Sequence, residues 1–202
     1  VSAKGRRLDG LSSAAGMLPR RLVAAGLGTL ARRASRGRHG AIARENLERA
    51  LGAELSSTEL ERIHAGAFAH SARALGEWLR LARDGRGRWI EESVALDPSS
   101  AILEREHERG NGVIVVTAHL GNWELLAARL ARMGYGGAVI GRARANDASA
   151  RWLERMRASC GVRTLAQDSP PRAGLEVLRS GWILGLLCDL EVRRLDGEFL
   201  PF

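Results

Sequence analysis

Residues 112–124 read Gly112-Val113-Ile114-Val115-Val116-Thr117-Ala118-His119-Leu120-Gly121-Asn122-Trp123-Glu124, and the reading of this stretch decides the fold. Val113 to Val116 are all β-branched, hence stiff at χ1 and suited to extended backbone. The run is too short for a helix and apolar at every position, which predicts a buried strand of a parallel sheet. Asn111-Gly112 turns the chain just before it. A helix from Trp123 to about Met133 is expected directly after it.

The same rhythm continues toward the C-terminus. Ala138 to Ile140 reads as a second strand, and Ala148 to Ser159 as a helix ended by Gly161. Val162 to Ala166 reads as a third strand. Pro170-Pro171 opens a helix that runs to Arg179, since proline is tolerated in a first turn. Ile183 to Cys188 reads as a fourth strand. Strand and helix alternate throughout, predicting an α/β layer fold with a mostly parallel sheet and helices on its faces.

Toward the N-terminus the pattern is helical. Leu18 to Arg33 has weak helical character and residues 41–51 look helical. Ser56 and Glu59 form a capping box, with Leu55 and Leu60 as its staple. Apolar residues from Leu60 to Leu81 then keep helical spacing to about Arg83, where residues 84–88 break it. The expected organisation is a basic membrane-proximal arm over 1–40, a helical segment over 41–90 and an α/β catalytic core over 91–202.

Charge separates the arm from the rest. The chain has 202 residues and a net charge of +8. Residues 1–44 hold ten basic residues and one acid, Asp9, so the remainder sums to about neutrality. Such an arm suits an anionic partner: phospholipid headgroups, nucleic acid or an acidic protein. A merely solvated basic face is the plainer alternative. The apolar run Leu22 to Ala31 is flanked by arginine pairs. It is long enough to lie in a membrane interface and too short to cross one. Cys160 and Cys188 have no metal-like spacing and form no disulfide framework. Both are expected in the core, as fits a reducing compartment.

In open α/β sheets the working residues cluster past the carboxyl ends of the strands. The expected strands end at His119, at Gly141-Arg142, at Gln167-Asp168 and at Asp189. Across the short turn after His119, Glu124 can bring its carboxylate back onto the imidazole, fixing one tautomer and raising the basicity of the other nitrogen. Gly121 lets the backbone approach a ligand. Amides near 121–123 lie at a helix start, where a developing oxyanion is stabilised. The alternative leaves Glu124 countering the helix dipole and His119 as a loop residue.

His119 and Glu124 also match the HxxxxD/E signature of the lysophospholipid acyltransferase superfamily. The longer string from His119 to Glu124 resembles that of the lipid A late acyltransferases, the lauroyl and myristoyl transferases. Other blocks of that family resemble segments here in the same order. They are Met17-Leu18-Pro19, Arg44-Glu45-Asn46-Leu47, Ile140-Gly141-Arg142 with Asn146, Asp189-Leu190-Glu191 and Phe199-Leu200-Pro201-Phe202. Leu190 stands where the family has glutamine, and no aromatic residue precedes Arg142. The resemblance runs from about residue 17 to residue 202. It implies a fragment that lacks an N-terminal membrane helix and a C-terminal portion.

The resemblance implies an enzyme at the cytoplasmic face of the bacterial inner membrane. His119 would be the base and Glu124 its partner. Gly121, Asn122, Arg142 and Asp189 would bind substrate or order the site. The implied acyl donor is acyl carrier protein, and the acceptor a lipid A precursor or related glycolipid. No metal or organic cofactor is expected, because a thioester is already activated. Two other readings stand beside this one: a basic nucleic-acid-binding α/β module, and a membrane-associated relative without activity.

Overall fold

The computed structural model describes residues 20–141 and 148–189, together with Gly10. Over residues 20–83 the described elements are three helices: α1 (Arg20–Ser35), α2 (Arg38–Leu51) and α3 (Ser57–Arg83). The capping box at Ser56 is present, with the serine side chain accepting from the Glu59 amide and the Glu59 carboxylate accepting from the Ser56 amide. α2 docks on α3 through His64, which is buried and has Nε2 2.9 Å from the Gly40 carbonyl oxygen. Among the described residues no helix is long and apolar enough to cross a membrane.

Three short elements follow: α4 (Trp89–Ser93), a 3-10 turn at Pro98–Ser100 and α5 (Ala101–Glu108). The sequence reading left these out. Five residues are too few to show a helical period, although Asp97-Pro98 was a legible start signal, and the Asp97 side chain does accept from the Ser99 amide. The packing explains why α4 forms: Trp89 and Ile90 are buried, and the Arg80 guanidinium lies 4.0 Å from the centre of the Trp89 ring.

The alternating part is β1 (Val113–Thr117), α6 (Trp123–Arg132), β2 (Gly137–Gly141), α7 (Ala148–Ser159), β3 (Val162–Ala166), α8 (Pro171–Arg179) and β4 (Ile183–Leu187). The fold is therefore the expected α/β layer. All three strand pairings are parallel, in the order β1-β4-β2-β3. Val113 and Gly137 both register with Ile183, and Gly137 with Val162. All four strands thus start level and end at one edge.

The two faces of the sheet are covered unequally. Residues alternate between faces along each strand. The face bearing Val139 and Val162 packs against α3, α4, α6 and α7 around Leu81, Ile90, Leu125 and Met156. The opposite face holds a smaller cluster of Ala138, Leu184 and Val177 of α8. Among the described strands β1 lies at one end of the sheet, and on that second face Ile114 and Val116 are 52% and 66% exposed. The expectation of a strand buried on both faces is corrected there. An all-apolar run does not reveal that its strand lies at the sheet's edge. Cys160 is buried as expected, but Cys188 is exposed, because it lies just past the end of β4.

Gly112 carries a local constraint. A Cβ there would stand 2.2 Å from the Leu178 carbonyl oxygen and 2.4 Å from its Cα, both backbone atoms of α8. Gly66, on α3, has nothing within 4 Å of the same position. Gly112→Ala should therefore destabilise by about 1–3 kcal/mol. Gly66→Ala should stabilise by roughly 0.5–1 kcal/mol, since alanine is the better helix former. Urea unfolding of both variants checks the contrast, and equal effects would refute the close approach at Gly112.

Candidate active site

The site is built where β1 and β4 end side by side. The Cys188 amide donates to the Thr117 carbonyl oxygen at 3.0 Å, carrying the parallel pairing one residue past the strand. That places Asp189 beside His119. One carboxylate oxygen, Oδ2, accepts the His119 backbone N–H at 2.9 Å, and Oδ1 lies 2.8 Å from His119 Nδ1. An ionised carboxylate only accepts, so Nδ1 carries the proton and Nε2 presents its lone pair. The His119 ring holds the Asp189 carboxyl below the usual aspartate range, with the His119 amide adding to the effect.

Glu124 does something else. Its carboxylate is buried at 4% exposure, on the second residue of α6. It accepts from Arg157 of α7 twice, Nε to Oε2 at 2.9 Å and Nη2 to Oε1 at 2.5 Å. It also accepts from Trp123 Nε1 at 3.2 Å. The expected closure of Glu124 onto His119 is corrected: the acid on the imidazole is Asp189. The side chain of Glu124 points into the layer between α6 and the sheet, where the guanidinium of Arg157 waits. The residue of α6 that does reach His119 is Trp123, its ring centre 4.8 Å away at a 75° edge-on angle.

The other expected site residues separate. Gly121 has φ +65 and open space around it, so the turn requires glycine and leaves its backbone accessible. Asn122 is the N-cap of α6, accepting from the Leu125 amide and from Trp78 Nε1, while its Nδ2 donates to Glu77. Its side chain caps the helix and ties the turn to α3. Arg142, Asn146, Leu190, Glu191 and residues 199–202 lie outside the described residues, as do Met17 to Pro19. Leu120, between His119 and Gly121, is 82% exposed.

An apolar cleft runs beneath these residues, between α6 and the sheet. Thr117, Leu187 and Trp123 stand at the end near His119, and Tyr135 and Ile183 at the other. Its volume is about 60 Å³. Glu124 and Arg157 are the charged groups in its wall. Sequence reading missed Arg157. A signal existed: Arg157 sits next to Met156, on the same buried helix face as Trp152, where an arginine needs a partner.

The family model described as bacterial lipid A biosynthesis acyltransferase matches residues 10–202. The chain belongs to that family. No curated protein matches it. This acyltransferase is therefore an enzyme of lipid A biosynthesis. The assignment favours the enzyme over the nucleic-acid-binding reading of its basic N-terminal region. In the acyltransferase, the imidazole of His119 is paired with Asp189 and stands edge-on to Trp123, a residue of the apolar cleft wall.

The hydrogen bonds to Asp189 make a pH-dependent prediction. A carboxyl whose folded value is depressed contributes stability above its unfolded value and loses it as pH falls through the folded one. The difference in melting temperature between wild type and Asp189→Asn should hold from neutral pH down to about 4, the ordinary aspartate value, and close below it. Thermal melts across that range check this; a difference gone by pH 5 would refute the pairing.

Proposed function

We propose that this acyltransferase moves a fatty acyl chain from an acyl carrier protein thioester to a hydroxyl of a lipid A precursor or related glycolipid. The observation that carries this reading is His119, bonded through Nδ1 to Asp189 and set against Trp123, which lines the apolar cleft. Nε2 of His119 takes the proton from the acceptor hydroxyl as that oxygen attacks the thioester carbonyl. Asp189 holds the tautomer and offsets the imidazolium charge. The tetrahedral oxyanion forms near the start of α6, where backbone amides and the helix dipole favour negative charge. When the C–S bond breaks, the proton on His119 goes to the departing thiolate. The thioester is already activated, so this path needs no metal or organic cofactor. Arg142 is assigned to the phosphate–sugar end of the acceptor, and Gly121 to close backbone approach.

In this reading the acyl chain enters at the Trp123 end and widens the cleft along Leu126, Leu130 and Val115, parting α6 from the sheet, because the cleft as it stands is smaller than the chain. Acyl transfer from labelled acyl carrier protein to lipid A precursor, in detergent, tests both parts. His119→Ala should lower the rate by on the order of 10²–10⁴-fold while the protein stays folded. Ala131→Phe, at the far part of the cleft, should shift preference toward shorter thioesters. Wild-type rates in His119→Ala would end the mechanism, and an unchanged chain-length profile would end the placement of the chain.

The working location is the cytoplasmic face of the bacterial inner membrane. Leu22 and Leu30 are both more than half exposed on α1, and exposed Arg32 and Arg33 close that helix. Apolar side chains can enter the headgroup boundary while the arginines pair with anionic lipid. Vesicle co-sedimentation should be stronger with anionic than with neutral lipid and should weaken with salt, which screens charges beyond about 8–10 Å. Equal binding to both vesicle types would refute the attachment.

A further inference from the structure

Arg157 is a buried cation that the mechanism above does not use. Its guanidinium grips both oxygens of Glu124. Its third nitrogen, Nη1, reaches Thr164 Oγ1 of β3 at 3.3 Å. The same nitrogen lies 3.0 Å from where a Cβ on Gly141, the last residue of β2, would stand. One side chain from α7 therefore touches the start of α6 and two strands of the sheet.

The contact continues toward His119. The Glu124 oxygen held by Arg157 Nη2 is the one that accepts Trp123 Nε1–H. That bond fixes the turn of the indole about its own axis. The indole in turn stands edge-on to the His119 ring, and its other neighbour is Trp78 of α3, 5.8 Å away at 71°. His119 is thus held at Nδ1 by Asp189 and along its ring by Trp123. The first hold sets the tautomer. The second is a ring-edge contact on the imidazole.

We propose that Arg157 is a positioning residue for acyl transfer, acting through Glu124 and Trp123 to aim the imidazole of His119. Glu124 is then the link in that chain, and its carboxylate never meets the reacting atoms. This rests on His119 being the base. A pair serving only stability would not need to hold the indole beside that base. Lysine at 157 would keep the charge and lose the fork that holds both carboxylate oxygens.

The test uses three variants of the whole chain: Arg157→Lys, Trp123→Phe and the charge-free pair Glu124→Gln with Arg157→Met. Removing both charges together avoids a lone buried carboxylate. Trp123→Phe leaves the ion pair alone, keeping a ring beside His119 while deleting the N–H. Two readouts are taken at one fixed pH: acyl transfer, and the ring ¹⁵N chemical shifts of His119 by NMR. The NMR readout does not depend on turnover. Wild-type transfer abolished by His119→Ala would establish the base beforehand; without it, the reading beneath fails separately.

All three variants should lower kcat, the charge-free pair by on the order of 10²-fold as for a displaced reacting group, with little change in KM. Arg157→Lys should fall between that pair and wild type. The His119 ring shifts should move in each. The proposal is overturned if the charge-free pair and Trp123→Phe keep wild-type kcat and unaltered ring shifts. It is equally overturned if Arg157→Lys loses only folding stability while its folded fraction turns over normally.

Discussion

The parallel pairing of β1 with β4 is the constraint on which the site depends. Five residues of each strand lie in register from Val113 with Ile183 to Thr117 with Leu187. One further backbone bond, from Cys188 to Thr117, keeps the two chains together as they leave the sheet. Asp189 meets His119 because of that bond. A slip of one residue would turn every side chain of β1 to the opposite face, and would take His119 out of reach of the carboxylate. The chemistry is therefore held by backbone geometry first and by side-chain attraction second.

The charged pair beneath α6 follows a different logic. Glu124 and Arg157 are both nearly out of water, at 4% and 9% exposure. Withdrawing two ions from solvent costs several kcal/mol each, so such a pair is weak evidence of added stability. Losing one partner is the severe case, at about 3–5 kcal/mol. The pair lies in the wall of an otherwise apolar cleft, where an apolar pair of similar size could have packed. Its geometry ties α6, α7 and β3 together.

Much of this was legible because local chemistry writes strongly into sequence. The capping box at Ser56, the β-branched run before His119, and Pro171 opening a helix each have a local cause, and each element forms where those causes predict. The partner of His119 was not legible. Two acids stood within reach on paper, one five residues away and one seventy. The near one is on a helix start whose side chain turns inward to Arg157, and only the strand order reveals the far one. The local partners of Asn122 were not legible either: its place in the turn suggested substrate, and its amide bonds Trp78, Glu77 and the helix it caps. Sequence spacing reports which groups are near along the chain. It does not report which way a helix start presents them.

The strand order has a consequence in time. Among the described strands β1 lies at the end of the sheet and its neighbour is β4, the last of the four to be made. While a ribosome is still adding residues 118–182, the strand that β1 pairs with among the described residues does not yet exist, and β2 lacks the neighbour that will separate it from β1. Of the described strands, β4 is made last and lies between two earlier ones, so its docking is a long-range closure of the kind that slows folding. His119 leaves the ribosome well before its carboxylate does, so the nascent chain carries a histidine with no orienting acid until β4 has docked.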